Sequence, residues 1–137
     1  MGASPLTDMA QPRKPRSIEH LAVEELRRRL AENNTAKQFG FELVEAQPGK
    51  VILRMSVNQH HLQVHGVVHG GVLAALADTA GGLASYMACP PGTRVATIEM
   101  KINYLEAVEG GSVAAEATVV RIGRHIAVVD CDVRDGS

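Results

Sequence analysis

The sequence predicts an α+β fold in which one antiparallel β-sheet wraps around a single long central α-helix. Three observations carry this expectation. Segments of alternating apolar and polar residues occur twice before residue 58 and three times after residue 93, joined within each group by short turns of the kind that link antiparallel strands. Between the two groups runs "GGVLAALADTAGGLASYMA", residues 70–88, apolar around its whole circumference, so most of its faces must be covered. The length of 137 residues suits one compact domain with one core.

The elements follow in order. "MGASPLTDMAQPRKPRS" is polar and proline-rich and lacks the apolar centre of a secretory signal, so residues 1–16 read as a disordered leader. Ile18, Leu21, Ala22, Leu26 and Leu30 then recur at helical spacing, with Ser17 as the expected N-cap, and define an N-terminal helix over 17–35 that ends near Asn33-Asn34. From Phe41 the period changes to two. "FELVEAQ" and "KVILRMSV" form a hairpin about Pro48-Gly49, with Val51, Leu53, Met55 and Val57 on one face. A loop over 58–68 leads to the helix over 70–88, which Pro90-Pro91-Gly92 closes.

Three further strands are expected in "RVATIEMKINYLEA", "GSVAAEATVVRI" and "RHIAVVDCDVRD". In the first, Ile98, Met100, Ile102 and Tyr104 alternate with Thr97, Glu99, Lys101 and Asn103. Asp135-Gly136 reads as a turn into one more strand, which is absent, so the domain over 36–137 is expected to lack its last strand.

Bulk composition excludes several function classes. A net charge of −1 gives no electrostatic footprint for nucleic acid or an anionic membrane. With no Trp, two Tyr and two Phe, base-stacking platforms are lacking. Cys89 and Cys131 do not form a disulfide scaffold, and a reducing cytoplasm is the simpler location. Residues 70–88 have the length of a membrane span, but Ala and Gly dominate and Asp78 lies mid-span, where insertion costs roughly 2.5–3.5 kcal/mol.

The chemistry concentrates in "HLQVHGVVHGGVLAALADTAGG", residues 61–82. Gly70 and Gly71 open the helix, where backbone N–H groups have no intrahelical acceptor and lie at the positive end of the dipole. Glycine there lets a ligand approach closely, and such N–H groups can hold an oxyanion. Asp78 reads as a carboxylate buried in an apolar run, which costs several kcal/mol unless it is paired or hydrogen-bonded. It lies eight residues beyond Gly70, ~12 Å along the helix, so the two cannot act on one carbonyl within a subunit. A two-fold axis would bring Gly70 of one subunit beside Asp78 of another and make two composite sites.

His61, His65 and His69 are four residues apart, a zinc-like spacing. Val64, Gly66, Val67 and Val68 disfavour the helix that would align them, and no acidic or Cys fourth ligand is near, so no metal is expected. There is no G-x-S-x-G, and Cys131 shares a strand face with Ala127, Val129 and Val133, so Ser- and Cys-hydrolase chemistry is not expected.

Residues 61–82 resemble the signature segment of PaaI-like acyl-CoA thioesterases, whose fold is the hotdog. "VATIEMKINYLEAVEGGSVAAEATVVRIGR" is similar to the family's later strands, and the resemblance covers roughly residues 36–135. It implies an oxyanion donor at Gly70 beside His69, and an acid at Asp78 acting from the partner subunit as base or nucleophile. The position six residues before the histidine, Asn in many members, is Gln63; glutamine there resembles the 4-hydroxybenzoyl-CoA thioesterase branch, which pairs it with Glu rather than Asp. Thr97 matches a hydroxyl that helps place water. Substrate binding falls to Gly71 and, for the coenzyme A phosphates, to Arg121 and Arg124 by the Gly123 turn. The resemblance further implies acyl-CoA as substrate, no cofactor, and a homodimer assembled into a homotetramer. Two other functions stay open on the residues alone: a non-catalytic acyl-CoA-binding regulatory module, and an enoyl-CoA hydratase or dehydratase using His69 with Asp78.

Overall fold

The structure, a computed structural model, describes residues 16–136, with side chains from residue 22 onward. The leader over 1–16 lies, apart from Arg16, outside the described residues, as do the side chains of Ile18 and Leu21.

The N-terminal helical region is two helices rather than one, α1 (Arg16–Glu32) and α2 (Asn34–Phe39). Asn33 breaks them: its backbone is extended, and its side chain accepts from Ala36 N at 2.9 Å, capping α2. Gly40, at φ 73°, ends α2 in the left-handed conformation that favours glycine. Ser17 falls inside α1 instead of capping it, because the helix begins one residue earlier, at Arg16. On α1, Leu26 and Leu30 are buried, while Arg29 stacks 3.8 Å over the Tyr86 ring of the central helix.

Strands β1 (Phe41–Gln47) and β2 (Lys50–Ser56) form the expected hairpin, and Gly49 supplies the positive φ of its turn. The central helix α3 (Gly70–Ala88) has the predicted bounds. Strands β3 (Ser112–Ile122) and β4 (Ala127–Asp135) complete a four-stranded antiparallel sheet in the order β1-β2-β3-β4. Val51, Leu53 and Met55 stand opposite Ala117, Ala115 and Val113, all six fully buried. The two small alanines let α3 lie closest to β3, its apolar line Leu76, Ala80 and Ala84 filling the gap. Each large side chain in this layer contributes about 1.5–3 kcal/mol by leaving water.

Two expectations fail at the far edge. Residues 94–107 form no strand: among the described residues they join no ladder, and Ile98, Leu105 and Tyr104 are exposed. Alternation prepares a segment for a sheet, but a strand exists only when a neighbour supplies its hydrogen bonds. This segment instead lies across a groove from β4, leaving β4 as an open edge. Asp135-Gly136 is also no turn. Asp135 pairs with Val113, and Gly136 N–H donates to Ser112 O at 2.7 Å, so the β3–β4 ladder runs on through both residues. No helix among the described residues is long and apolar enough to cross a membrane.

Candidate active site

The loop between β2 and α3 builds the helix entrance. Asn58 caps a 3-10 turn over Gln59–His61, its Oδ1 accepting from His60 N at 2.9 Å. The chain then doubles back: Gln63 N–H donates to Val67 O at 2.8 Å, Gly66 takes a φ of 80°, and Leu62 bridges to Val68. This return sets His69 N–H on His61 O at 2.8 Å. The three histidines are thereby separated. His61 is buried, while His65 and His69 are exposed, because a 3-10 turn and a reversed loop replace the helix that the spacing of four would need.

His69 is the N-cap of α3, and its Nδ1 accepts from Gly71 N at 2.8 Å. The Gly71 N–H is therefore occupied by the protein itself, and a Cβ on Gly71 would lie 2.9 Å from that same Nδ1. Gly70 differs. Among the described residues nothing accepts from its N–H, which points out from the first turn of α3 as a free donor. Its missing side chain makes room for Tyr104, whose ring would stand 3.1 Å from a Cβ there and whose hydroxyl donates to Gly70 O at 2.7 Å.

Midway along α3, Asp78 is exposed rather than buried. The helix is covered by the sheet and by α2, and its remaining stripe, with Asp78, Gly81 and Gly82, faces the groove beside residues 93–110 and β4. The charge thus stays hydrated within one chain. Thr97 Oγ1 donates to Asp78 Oδ1 at 2.5 Å, which brings together two residues far apart in sequence. The adjacent Thr79 hydroxyl is not a competitor, because it donates to Ala75 O at 2.7 Å within its own helix.

The predicted site residues therefore form two groups in one chain. Gln63, His69, Gly70 and Gly71 lie at the entrance of α3; Asp78 and Thr97 lie on the groove, which has a volume of about 1220 Å³. Gln63 Oε1 accepts from His65 N–H in its own loop and makes no bond to Asp78 or Thr97. Arg124 stands on the rim of the groove at the β3–β4 turn, and Arg121, although exposed, does not line it. Burial, with the Asp132 and Glu116 carboxylates adding to it, pushes the Cys131 thiol up to about 11, so it is no nucleophile at neutral pH.

Sequence reasoning missed Tyr104, reading it only as one residue of a strand face. Nothing in the spacing signals it: eight residues of α3 rise about 12 Å, whereas seven extended residues from Thr97 would reach about 23 Å, so only the folded path of the segment brings Tyr104 to the helix entrance.

Residues 65–137, more than half of the chain, match the thioesterase superfamily. A protein of Haemophilus influenzae, provisionally named an esterase, is 34% identical over 77% of this chain and 76% of its own length. The 1,4-dihydroxy-2-naphthoyl-CoA hydrolase of Listeria monocytogenes is 29% identical over 70% of this chain and 78% of its own. Among solved structures, the PaaI protein from the phenylacetic acid degradation operon of E. coli superimposes with a TM-score of 0.79 at 25% identity, covering 86% of this chain and 84% of that one.

Proposed function

The chain belongs to the thioesterase superfamily, with the hotdog fold, and from that membership we propose that it hydrolyses an acyl-coenzyme A thioester to the free acid and coenzyme A. It is a thioester hydrolase in the company of relatives named as CoA hydrolases and thioesterases.

One observation carries the assignment of roles: the unpartnered Gly70 N–H and the Thr97-bonded Asp78 carboxylate sit on the same helix, eight residues apart. That separation, ~12 Å, is too long for one carbonyl, and a two-fold axis between antiparallel copies of α3 removes the difficulty. In the composite site the Gly70 N–H polarises the thioester oxygen, at the positive end of the helix dipole. The partner's Asp78 acts as general base on water or attacks the carbonyl carbon itself. Thr97 holds Asp78 by one oxygen and leaves the other for the reaction. His69 fixes the first turn through Gly71 N–H. Gln63, in the loop at the helix entrance, orients the water or the acyl group. Arg124 on the groove rim offers a charge for coenzyme A phosphate, with Arg121 beside it on the hairpin. The homodimer is the catalytic unit, two dimers forming a tetramer, and the cytoplasm is its location.

Release of free thiol from a panel of aryl- and alkyl-CoA substrates tests the reading. Wild-type turnover is expected on at least one, with Asp78→Asn lowering kcat at least about a hundredfold while the fold is kept. Water addition to an enoyl-CoA, or tight binding without turnover, would replace hydrolysis with the hydratase or the regulatory function. Near wild-type rates in Asp78→Asn would remove Asp78 from the mechanism.

A further inference from the structure

His61 has no part in the proposed chemistry, yet it is the most deeply buried polar side chain of the described residues, at 1% exposure. Both ring nitrogens are bonded. Nδ1 accepts from Asn58 N at 3.0 Å, and Nε2 lies 2.9 Å from Phe39 O. A backbone N–H can only donate and a carbonyl can only accept, so the ring is the neutral tautomer with its proton on Nε2. The ring also packs on Phe39, their centroids 5.9 Å apart. Through its backbone, His61 O accepts the N–H of His69, the cap of α3 and the residue before Gly70.

We propose that His61 is a positioning residue for the oxyanion donor. Its ring ties the turn at Asn58 to the end of α2 at Phe39, and its carbonyl ties that anchored point to His69. The Gly70 N–H is thereby held in one direction by three hydrogen bonds that converge on a single residue. The loop needs such an anchor. Between Asn58 and His69 only Val68 and His61 itself are buried, with Leu62 packed on the core while partly exposed, so few apolar contacts hold its shape. Displacing an N–H donor by about 1 Å is enough to cost about a hundredfold in rate. The inference rests on the thioesterase reading for its kinetic consequence, but its structural part stands apart from it.

Three variants separate the two ring bonds. His61→Gln keeps a donor toward Phe39 O, His61→Asn keeps an acceptor for Asn58 N–H, and His61→Leu keeps neither. In folded protein, His61→Leu is expected to lower kcat about ten- to hundredfold with KM changed by less than about threefold, since the lost alignment acts on the transition state. Gln and Asn should each recover part of the loss. A merely structural role would lower thermal stability in all three and leave kcat per folded molecule unchanged, which would overturn the proposal. Amide hydrogen exchange at His69 and Gly70 provides a readout independent of substrate: exchange at His69 should accelerate in any folded variant lacking both ring bonds or, if Leu does not fold, in Gln and Asn to lesser degrees. Unchanged exchange, or a wild-type 15N spectrum showing His61 protonated on Nδ1, also overturns it. If wild-type protein hydrolyses no acyl-CoA, the thioesterase reading fails, and the exchange and tautomer results still decide the role of His61.

Discussion

Asp78 stands in a run whose neighbours are all small or apolar, and in sequence that run reads as a buried charge. Sequence neighbours on a helix point in every direction, so a run's composition cannot say which face one residue takes. The facing elements decide it, and here they leave Asp78 on the open stripe. Its pairing with Thr97 was not legible, since the resemblance offered Thr97 only as a hydroxyl that places water and nothing local links residues nineteen apart. Exposure has a consequence for stability: Asp78→Asn keeps an oxygen to accept from Thr97, so it should change unfolding free energy by no more than about 0.5 kcal/mol, and urea melts will separate lost activity from lost fold. Cys131 is the contrasting residue, read correctly because strand periodicity does report faces. With its thiol pushed up to about 11 by burial, then by Asp132 and Glu116, it should react with iodoacetamide at pH 8 at least roughly tenfold more slowly than a free peptide cysteine. The rate should climb with pH toward about 11. The raised value means that the folded state favours the neutral thiol. That contribution to stability is whole below the unfolded value near 8.5 and is lost as pH rises toward the folded one. Mass spectrometry after timed alkylation measures the rate; fast labelling at pH 8 would contradict the burial.

Among the elements, β1, β2 and α3 were readable to within a residue because their limits are local: a Pro-Gly turn, a glycine pair, two prolines. Residues 94–107 were not, because their alternation is sound but a ladder partner lies outside any local window. What holds this segment is its two side-chain bonds to α3, through Thr97 and Tyr104. The glycine at the helix entrance thus has a steric reason as well as a chemical one. Gly70→Ala places a methyl 3.1 Å from the Tyr104 ring, which must move. In a double-mutant cycle with Tyr104→Ala, followed by urea unfolding, Gly70→Ala should be more costly with tyrosine present, by about 1 kcal/mol. A coupling energy of zero would separate the two residues.

At the scale of the whole molecule, the composite site makes activity a property of paired subunits. Two inactive proteins should therefore rescue each other. Gly70→Pro removes the donor N–H in a first turn whose backbone, after the extended His69, accepts proline; its Cβ meets the Tyr104 ring as alanine's does, so circular dichroism must first show the variant folded. Mixed in equal amounts with Asp78→Ala and allowed to exchange, it should restore roughly a quarter of wild-type activity, because each mixed dimer keeps one intact site. Exchange without recovered activity would disprove the cross-subunit geometry. The sheet order carries a different consequence, for the protein while it is being made. β1–β2 and β3–β4 are hairpins of near neighbours, but the central seam joins Ser56 to Ser112, with all of α3 lying between them in the chain. A nascent chain therefore displays Val51, Leu53 and Met55 long before Ala117, Ala115 and Val113 leave the ribosome to cover them. At ordinary synthesis speeds that interval lasts about 3–12 s, far longer than the microseconds a hairpin takes to close. For those seconds the apolar face of β2 is open to chaperones and to other nascent chains, until α3, which emerges before β3, packs against it.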